Sequence, residues 1–369
     1  MSDVIVIGSG IVGSALAYRL SQAGASVVIV DAGDRTPTTS TSVAWTNSNN
    51  KQPFAYHLLN VAGMGEHLAL ELELGDSRFF HHTGNVEWAI GTAEAQTLRE
   101  KLARLRSWGY PVELLDRKDV AGIDPCLAPP GDAEAIAFFP SEGYVDAPSL
   151  AAALLDRARE RGTQVRPGRT VTSIGGMRGR NRTVAFTNGE TLAAKYVVCA
   201  VGRWTGALLA TAGFELPMAP TRSCLALASP ANPRMRTMLN SSAINVRPDG
   251  DGRVLLQNTS SDAPGGGEIP TIPPEQLDEM LLAPARRAVR GLENARILEA
   301  KLGIRAIPGD GHPVVGPVPG CEGLYVVCSH SGVTLAPFFA RAVTRELVRG
   351  TADERLAPFR PERFSRLPV

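Results

Sequence analysis

The sequence predicts a mixed α/β (α+β) fold, with a central parallel sheet in one domain and an antiparallel sheet in a second. Three observations carry this reading. Strand, glycine turn, helix and strand follow one another between Asp3 and Asp31. A second glycine-ended strand appears near Gly202, and a third, glycine-opened helix near Gly332. From Pro217 to Ile304 short alternating runs with turn residues replace the helix–strand pattern.

The opening unit is Rossmann-like. Gly8 permits the tight turn, Gly10 lets the backbone approach a pyrophosphate, and Gly13 lets the helix pack on the strand. The helix N-terminus then offers unpaired N–H groups and a positive dipole end to phosphates. Asp31 ends the second strand, 21 residues after Gly10, where a carboxylate can hold an adenosine ribose. The unit therefore reads as a dinucleotide site.

A stretch rich in Thr, Ser and Asn follows, Asp34 to Pro53, too polar for a core element; a loop of this length in a compact domain is usually functional. Leu58–Leu74 reads as a helix, Phe79–Ile90 as strands and Thr92–Trp108 as an amphipathic helix with a basic outer face. Ala147–Arg161 is a helix stopped at Gly162, and Val165–Ile174 a strand. Asn188-Gly189 joins Arg182–Phe186 and Glu190–Leu192 as a hairpin, and Lys195–Gly202 is a strand buried on both faces. Ser223–Ser229, Ala243–Arg247 and Arg253–Thr259 form the antiparallel part, with Asp249–Gly252 as a turn. Then come a helix around Pro274–Arg290, a strand over Ala295–Arg305, a buried strand over Gly323–Cys328 and a helix over Val333–Arg349. One discontinuous domain (1–75, 141–215 and 303–369) and a second built from two insertions (76–140 and 216–302) are expected.

Composition narrows the function. A net charge of +1 gives no field for nucleic acid or an anionic membrane, and no apolar run approaches the ~20 residues of a spanning helix. The chain enters a strand at once, without a secretory signal, and its five cysteines form neither CxxC nor a zinc spacing. A cytoplasmic location and no metal are expected; His81 and His82, as strand neighbours, would face opposite sides. An NAD domain would be complete in about 150 residues, whereas three distant segments here suit an extended FAD.

These segments also carry a resemblance. GSGIVG and VVIVDAG near the start, TSTSVAWTNSNNKQP (39–53), FPSEGYVDAPSL (139–150), YVVCAVGRWTG (196–206), GIRAIPGDGHPVVGPVPG (303–320), GLYVVCSHSGVTLAPFFARAVTREL (323–347) and LAPFRPERF (356–364) resemble the D-amino-acid oxidase superfamily of FAD-dependent oxidoreductases, in its glycine oxidase, sarcosine oxidase and D-amino-acid dehydrogenase branch. The resemblance implies FAD on the parallel sheet, bound non-covalently since no attachment motif is present. It implies a small-molecule amine or amino-acid substrate under the antiparallel sheet, oxidised by hydride transfer to flavin N5, with the resulting imine hydrolysed. Oxygen or another carrier takes the electrons, and a homo-oligomer is possible.

It also implies the site. Gly8, Gly10, Ile11, Val12, Gly13, Asp31, Ala32, Thr41, Ser42, Val171, Ala200, Gly202, Trp204, Ser331, Gly332, Val333 and Thr334 fall where the family contacts FAD. Ser329–Thr334 would set helix N–H groups at the N1–C2=O edge of the ring, with His330 beside it. Arg305 falls where the family places the arginine that pairs with the substrate carboxylate; the alternative is a salt bridge between domains. Asn49 and Lys51 lie on the loop that passes the ring, where a cation would assist oxygen; Asn47, Tyr56 and His57 are further candidates. Tyr144, Gln257 and Asn258 are candidate substrate contacts, each with ordinary packing or strand polarity as the alternative, and Arg222 and Trp204 could flank the ring. The chain departs from the branch at Ala243–Val246, which lacks the tyrosine that assists the arginine, leaving the clamp incomplete or the substrate other than a simple amino acid. Two further readings stay open: an aromatic-ring monooxygenase, against which Cys328–Gly332 replaces a Gly-Asp-Ala segment, and a non-catalytic flavoprotein subunit of a larger complex.

Overall fold

The structure is a computed structural model that describes residues 2–33, 38–76, 78–229, 234–258, 262–264 and 272–365. Its central sheet has eight strands among the described residues. Five are parallel neighbours in the order Gln164–Arg166, Val27–Val30, Ser2–Ile7, Thr191–Cys199 and Leu324–Cys328. Antiparallel strands complete it on the Thr191–Cys199 side: Asn181–Phe186 pairs with the first half of that strand and carries Val171–Arg178, while Val314–Pro317 pairs with Leu324–Cys328.

The near-continuous Val/Ile runs exist because both faces of this sheet are covered. Val4, Val6, Val27 and Ile29 face a core shared with helices Ile11–Gln22, Ala147–Glu160 and Gly332–Arg349. Ile5, Ile7, Val28 and Val30 face the opposite core with Leu209, Phe214 and Val326. Helix Phe54–Leu74 lies so close to Gly332–Arg349 that a Cβ at Gly63 would meet the Thr334 carbonyl oxygen at 2.5 Å.

A second sheet of nine strands joins Asn85–Ile90, Glu113–Leu114 and Ala133–Phe139 to five strands between 221 and 264 and to Ile297–Ile304. It is antiparallel, as expected, apart from one pairing in which Met238–Ser241 runs parallel to Asn85–Ile90. One face packs on the helical stretch Pro274–Ala288, whose middle turn, Asp278–Leu282, is a π-helix. The other face looks toward the parallel sheet. Trp45–Thr46, Gly143–Val145 and Phe80–His81 make a small sheet between the two.

Several elements differ from expectation. Val165–Ile174 is two strands, divided by a turn at Gly168 with φ +68°. The helix expected from Leu58 begins at Phe54, after a cis Gln52–Pro53 bond. Of the polar stretch, residues 34–37 lie outside the described residues; the rest is largely interior, with Thr41, Thr46, Asn47, Ser48 and Asn49 buried. Thr259, the expected end of a strand, also lies outside them; the strand ends at Gln257. All five cysteines are unpaired, four of them buried and Cys126 partly so. No described helix is long and apolar enough to cross a membrane, and the described residues hold no cluster that could bind a metal ion.

Candidate active site

Three turns lie side by side at the carboxyl ends of three adjacent parallel strands, where open α/β sheets bind ligands. They are Gly8–Gly10 after Ser2–Ile7, Ala200–Gly202 after Thr191–Cys199, and Ser329–Ser331 after Leu324–Cys328; the register Ile7↔Cys199↔Val326 aligns them. Gly8 adopts φ +98°, and a Cβ there would lie 2.6 Å from the Ala200 carbonyl oxygen. A Cβ on Gly13 would lie 1.8 Å from the Gly8 oxygen, so only glycine permits this helix–turn contact.

The helix beginning at Ile11 has no side-chain cap on Gly10; instead the Ile11 N–H donates to Thr39 Oγ1 at 3.1 Å. Asp31 accepts from the Ser9 N–H at 2.6 Å and from the Gly33 N–H at 2.7 Å, tying the second strand to the first turn. The Gly332 helix likewise has no side-chain cap from Ser331, and Gly332 approaches Val12 across the two helix starts. Behind that turn Tyr56 Oη shares a 2.6 Å hydrogen bond with Ser331 Oγ, and His67 Nε2 lies 2.9 Å from the Val333 carbonyl oxygen. Burial pushes His67 down to about 4, so it is neutral at pH 7 and donates there. Thr334 Oγ1 donates to the Trp45 carbonyl oxygen, linking the last helix to the polar loop. Thr41 is packed where a Cβ on Gly303 would meet its backbone oxygen at 2.6 Å, and Ser42 Oγ accepts from the Ala44 N–H at 2.9 Å.

The polar loop is pinned from behind by Glu142, which the sequence reading did not single out. Glu142 is fully buried. Its Oε1 accepts from the N–H groups of Ser48 (3.1 Å) and Asn49 (3.0 Å) and from Tyr110 Oη (3.0 Å), and its Oε2 accepts from Asn49 Nδ2 (3.2 Å). Burial outweighs these bonds and pushes the carboxyl up to about 7. Beside it Lys101 Nζ pairs with both Glu87 oxygens at 2.5 and 2.6 Å and donates to Asn50 Oδ1 at 3.0 Å. Ser48 Oγ and His57 Nδ1 share a further 2.8 Å bond.

So clamped, the loop presents Thr46 Oγ1, Asn47 Oδ1 and Asn49 Oδ1 as buried atoms without a partner among the described residues. Such atoms are costly unless something polar meets them. Together with the glycine turns and the uncapped helix starts, they fit a dinucleotide carrying a polar ring.

Lys51, Arg305 and His330, from three distant segments, come within electrostatic reach of one another. Burial pushes the Lys51 ammonium down to about 8, with Arg305 lowering it further and Glu142 opposing. Burial, Lys51 and Arg305 push His330 to about 3. His330 is exposed on the turn Ser329–Ser331, yet protein surrounds it closely enough for that shift. Lys51 Nζ also sits 5.8 Å from the Tyr56 ring centre.

Arg305 is ion-paired: Nη1 donates to Asp262 Oδ2 at 2.5 Å and Nη2 to Asp262 Oδ1 at 3.2 Å, with a further bond from Nη2 to Ser223 Oγ at 3.0 Å. Gln257 Nε2 donates to the same Ser223 Oγ at 2.6 Å, so Gln257 joins this group. Asn245 lies opposite Gln257 in the ladder, and its buried Oδ1 has no partner among the described residues.

The remaining candidates lie elsewhere. Asn258 Nδ2 donates to the Met280 carbonyl oxygen, turned toward the π-helical stretch by the strand alternation that turns Gln257 to the recess. Tyr144 packs between His81 and Arg247, its ring 4.4 Å and 4.7 Å from them. Trp204 is exposed beneath the Arg203 guanidinium. Val171 packs against the second core of the parallel sheet. Asn85 belongs with the missed residues: it is fully buried and both amide atoms lack described partners.

The chain matches the FAD dependent oxidoreductase family over residues 3–346. It is 28% identical to the glycine oxidase of Geobacillus kaustophilus, covering 97% of this chain and 96% of that one. To the glycine oxidase of Pseudomonas putida it is 28% identical, covering 98% of each. The crystal structure of the Geobacillus kaustophilus enzyme superimposes with a TM-score of 0.89 at 24% identity, covering 100% of this chain and 99% of that one. An iminodiacetate oxidase from Chelativorans sp. superimposes at 0.84, with 22% identity and 97% and 98% covered.

Proposed function

Because the chain belongs to the FAD dependent oxidoreductase family, we propose that the recess of Lys51, Arg305 and His330 oxidises the carbon–nitrogen bond of an amino acid or secondary amine. The enzyme class is an FAD-dependent amine or amino-acid oxidoreductase. When bound, FAD supplies the two-electron acceptor. The turns Gly8–Gly13, Ala200–Gly202 and Ser331–Thr334, with Asp31, would hold it, and the unpartnered Asn47 and Asn49 amide oxygens would receive polar atoms of its ring.

The chain's own part is binding and proton handling. Arg305 attracts the substrate carboxylate and fixes the adjacent carbon. Lys51, at about 8, exchanges a proton at Nζ near neutral pH, so it takes the ammonium proton and leaves the amine with its lone pair. His330 is neutral throughout the working range and adds no charge to the recess. The nine-stranded sheet roofs the site and keeps bulk water from the reacting carbon. Water then completes the reaction by hydrolysing the imine product.

What supports this reading is the electrostatic coupling of Lys51, Arg305 and His330, far apart in sequence, with His330 on the turn at the carboxyl end of the parallel strand Leu324–Cys328. Strand membership of the two sheets supports the division into an FAD domain (1–75, 141–215, 303–369) and a substrate domain (76–140, 216–302). The five unpaired thiols support a reducing, cytoplasmic setting, and oxygen or a second carrier is the expected electron acceptor.

The test is an anaerobic screen of amino acids and N-methyl amines against the flavin-loaded protein, watching the visible flavin band, followed by air. Bleaching by one class, and recovery in air if oxygen is the acceptor, is expected. No bleaching by any amine rejects the reading. Arg305→Leu keeps flavin and loses substrate affinity; unchanged affinity removes Arg305 from the site.

A further inference from the structure

Resting on that reading of Arg305, we infer that Asp262 is an internal carboxylate that occupies the substrate arginine, and that it sets the enzyme's selectivity against simple monocarboxylates. A guanidinium has five N–H groups and holds a carboxylate bidentately by one of two edges, Nη1 with Nη2 or Nη2 with Nε. Asp262 fills the first edge with two bonds. The second edge needs the other Nη2 hydrogen, and that one is donated to Ser223 Oγ. Among the described residues, the donors left are one on Nη1 and one on Nε, on opposite sides of the group. No bidentate edge remains for a ligand.

Asp262 is held there by the sheet. Thr221↔Pro264 and Arg222↔Ala263 pair in the ladder, and the same register carries Asp262 to a position opposite Ser223. On the other side of this strand Arg222↔Ile304 sets Arg305 next to Thr221. The strand Thr221–Ala228 therefore runs between the acid and the base, and Ser223, braced by Gln257, accepts from the Arg305 guanidinium beside the pair. The pair is also reachable: the Arg305 and Asp262 side chains are 21% and 18% exposed. A ligand that enters the recess meets the pair itself.

A tethered carboxylate competes at a high effective concentration. A free carboxylate reaches the fork only in the fraction of molecules where Asp262 has let go, and its apparent affinity falls by that fraction. The absence of a tyrosine at Ala243–Val246 fits a site in which the arginine is tuned by an acid from the neighbouring strand. Substrates that win against Asp262 are those with additional contacts in the recess, such as the unpartnered Asn245 amide oxygen, which suits the N–H groups of a larger or second amine-bearing group.

The test titrates the flavin-loaded protein with benzoate, following the shift of the visible flavin spectrum, with neutral benzamide as the control. Asp262→Asn is expected to tighten benzoate by about tenfold or more, while benzamide changes little. Asp262→Ser replaces it if the asparagine form does not retain flavin. Benzoate binding to the variant no tighter than to the parent overturns the inference. Equal tightening of benzoate and benzamide also overturns it, because the effect would then be space, not charge. Bleaching by amines in the parent protein is read separately, so a failed function and a failed role for Asp262 give different results.

Discussion

Glu142 is an acid placed where its charge is unwelcome, and replacing it with glutamine gives a signed, pH-dependent result. Its carboxyl is pushed from 4.5 to about 7, with burial the largest cause. A folded value above the unfolded one means the folded chain binds the extra proton. The group therefore stabilises the fold fully below about 4.5 and loses that contribution as pH rises through about 7. At 1.36 kcal/mol per pH unit, the loss is about 3 kcal/mol. In Glu142→Gln the side-chain oxygen can still accept from Ser48, Asn49 and Tyr110, as Oε1 does. The amide nitrogen then faces Asn49 Nδ2, donor against donor, in place of the bond at Oε2. That costs about 1 kcal/mol at every pH. The variant should thus be the weaker protein near pH 5 and the stronger by about 2 kcal/mol near pH 8. Urea unfolding of the flavin-loaded protein, followed by circular dichroism at both pH values, reads the difference. Parent and variant curves that stay parallel from pH 5 to pH 8 would refute the assigned proton and the reasoning from burial.

Three further outcomes follow from single contacts. Lys51→Met should remove the limb near pH 8 from the kcat/KM profile of whichever amine is turned over; a limb that survives assigns it to another group. Gly13→Ala sets a Cβ 1.8 Å from the Gly8 oxygen, so the purified protein should carry little FAD by visible absorbance per chain, and full loading would contradict the close-packed turn. Lys101→Met strands the Glu87 carboxylate, only 15% exposed, and frees Asn50, which should cost about 3–5 kcal/mol in a denaturation experiment; a loss below about 1 kcal/mol would mean water reaches Glu87 freely.

The parallel sheet was legible because its strands are buried on both faces and its turns need glycine, so periodicity and composition both mark them. Lys51, Arg305 and His330 were each visible as chemistry, and the structure brings them together. Their partners were not visible. Glu142, Tyr110 and Lys101 look like ordinary edge or helix polarity in sequence, and only folding buries them against the loop. The loop read as too polar for the interior because Ser48, Asn49 and Asn50 are met by residues 51 to 94 positions away, a range no local pattern reports. Strand Ala133–Phe139 escaped notice for the opposite reason. Ile136 and Phe138 face one core and Ala135, Ala137 and Phe139 another, so its alternation is erased. The helix start at Phe54 was missed because Phe54 and Leu58 are both exposed, which shifts the apparent apolar stripe inward.

The unpaired cysteines have a practical consequence. Burial pushes the Cys199 and Cys328 thiols up to about 12 and Cys224 to about 11. At neutral pH a thiol at 12 is ionised in roughly one molecule in 100,000, and the thiolate is the form that reacts. Alkylating reagents thus find three of the sulfurs almost inert, with Cys321 buried as well. Cys126, partly accessible beside the short helix Val120–Ile123, is left as the natural attachment point for a spectroscopic label, reporting on the roof without touching the chemistry beneath it.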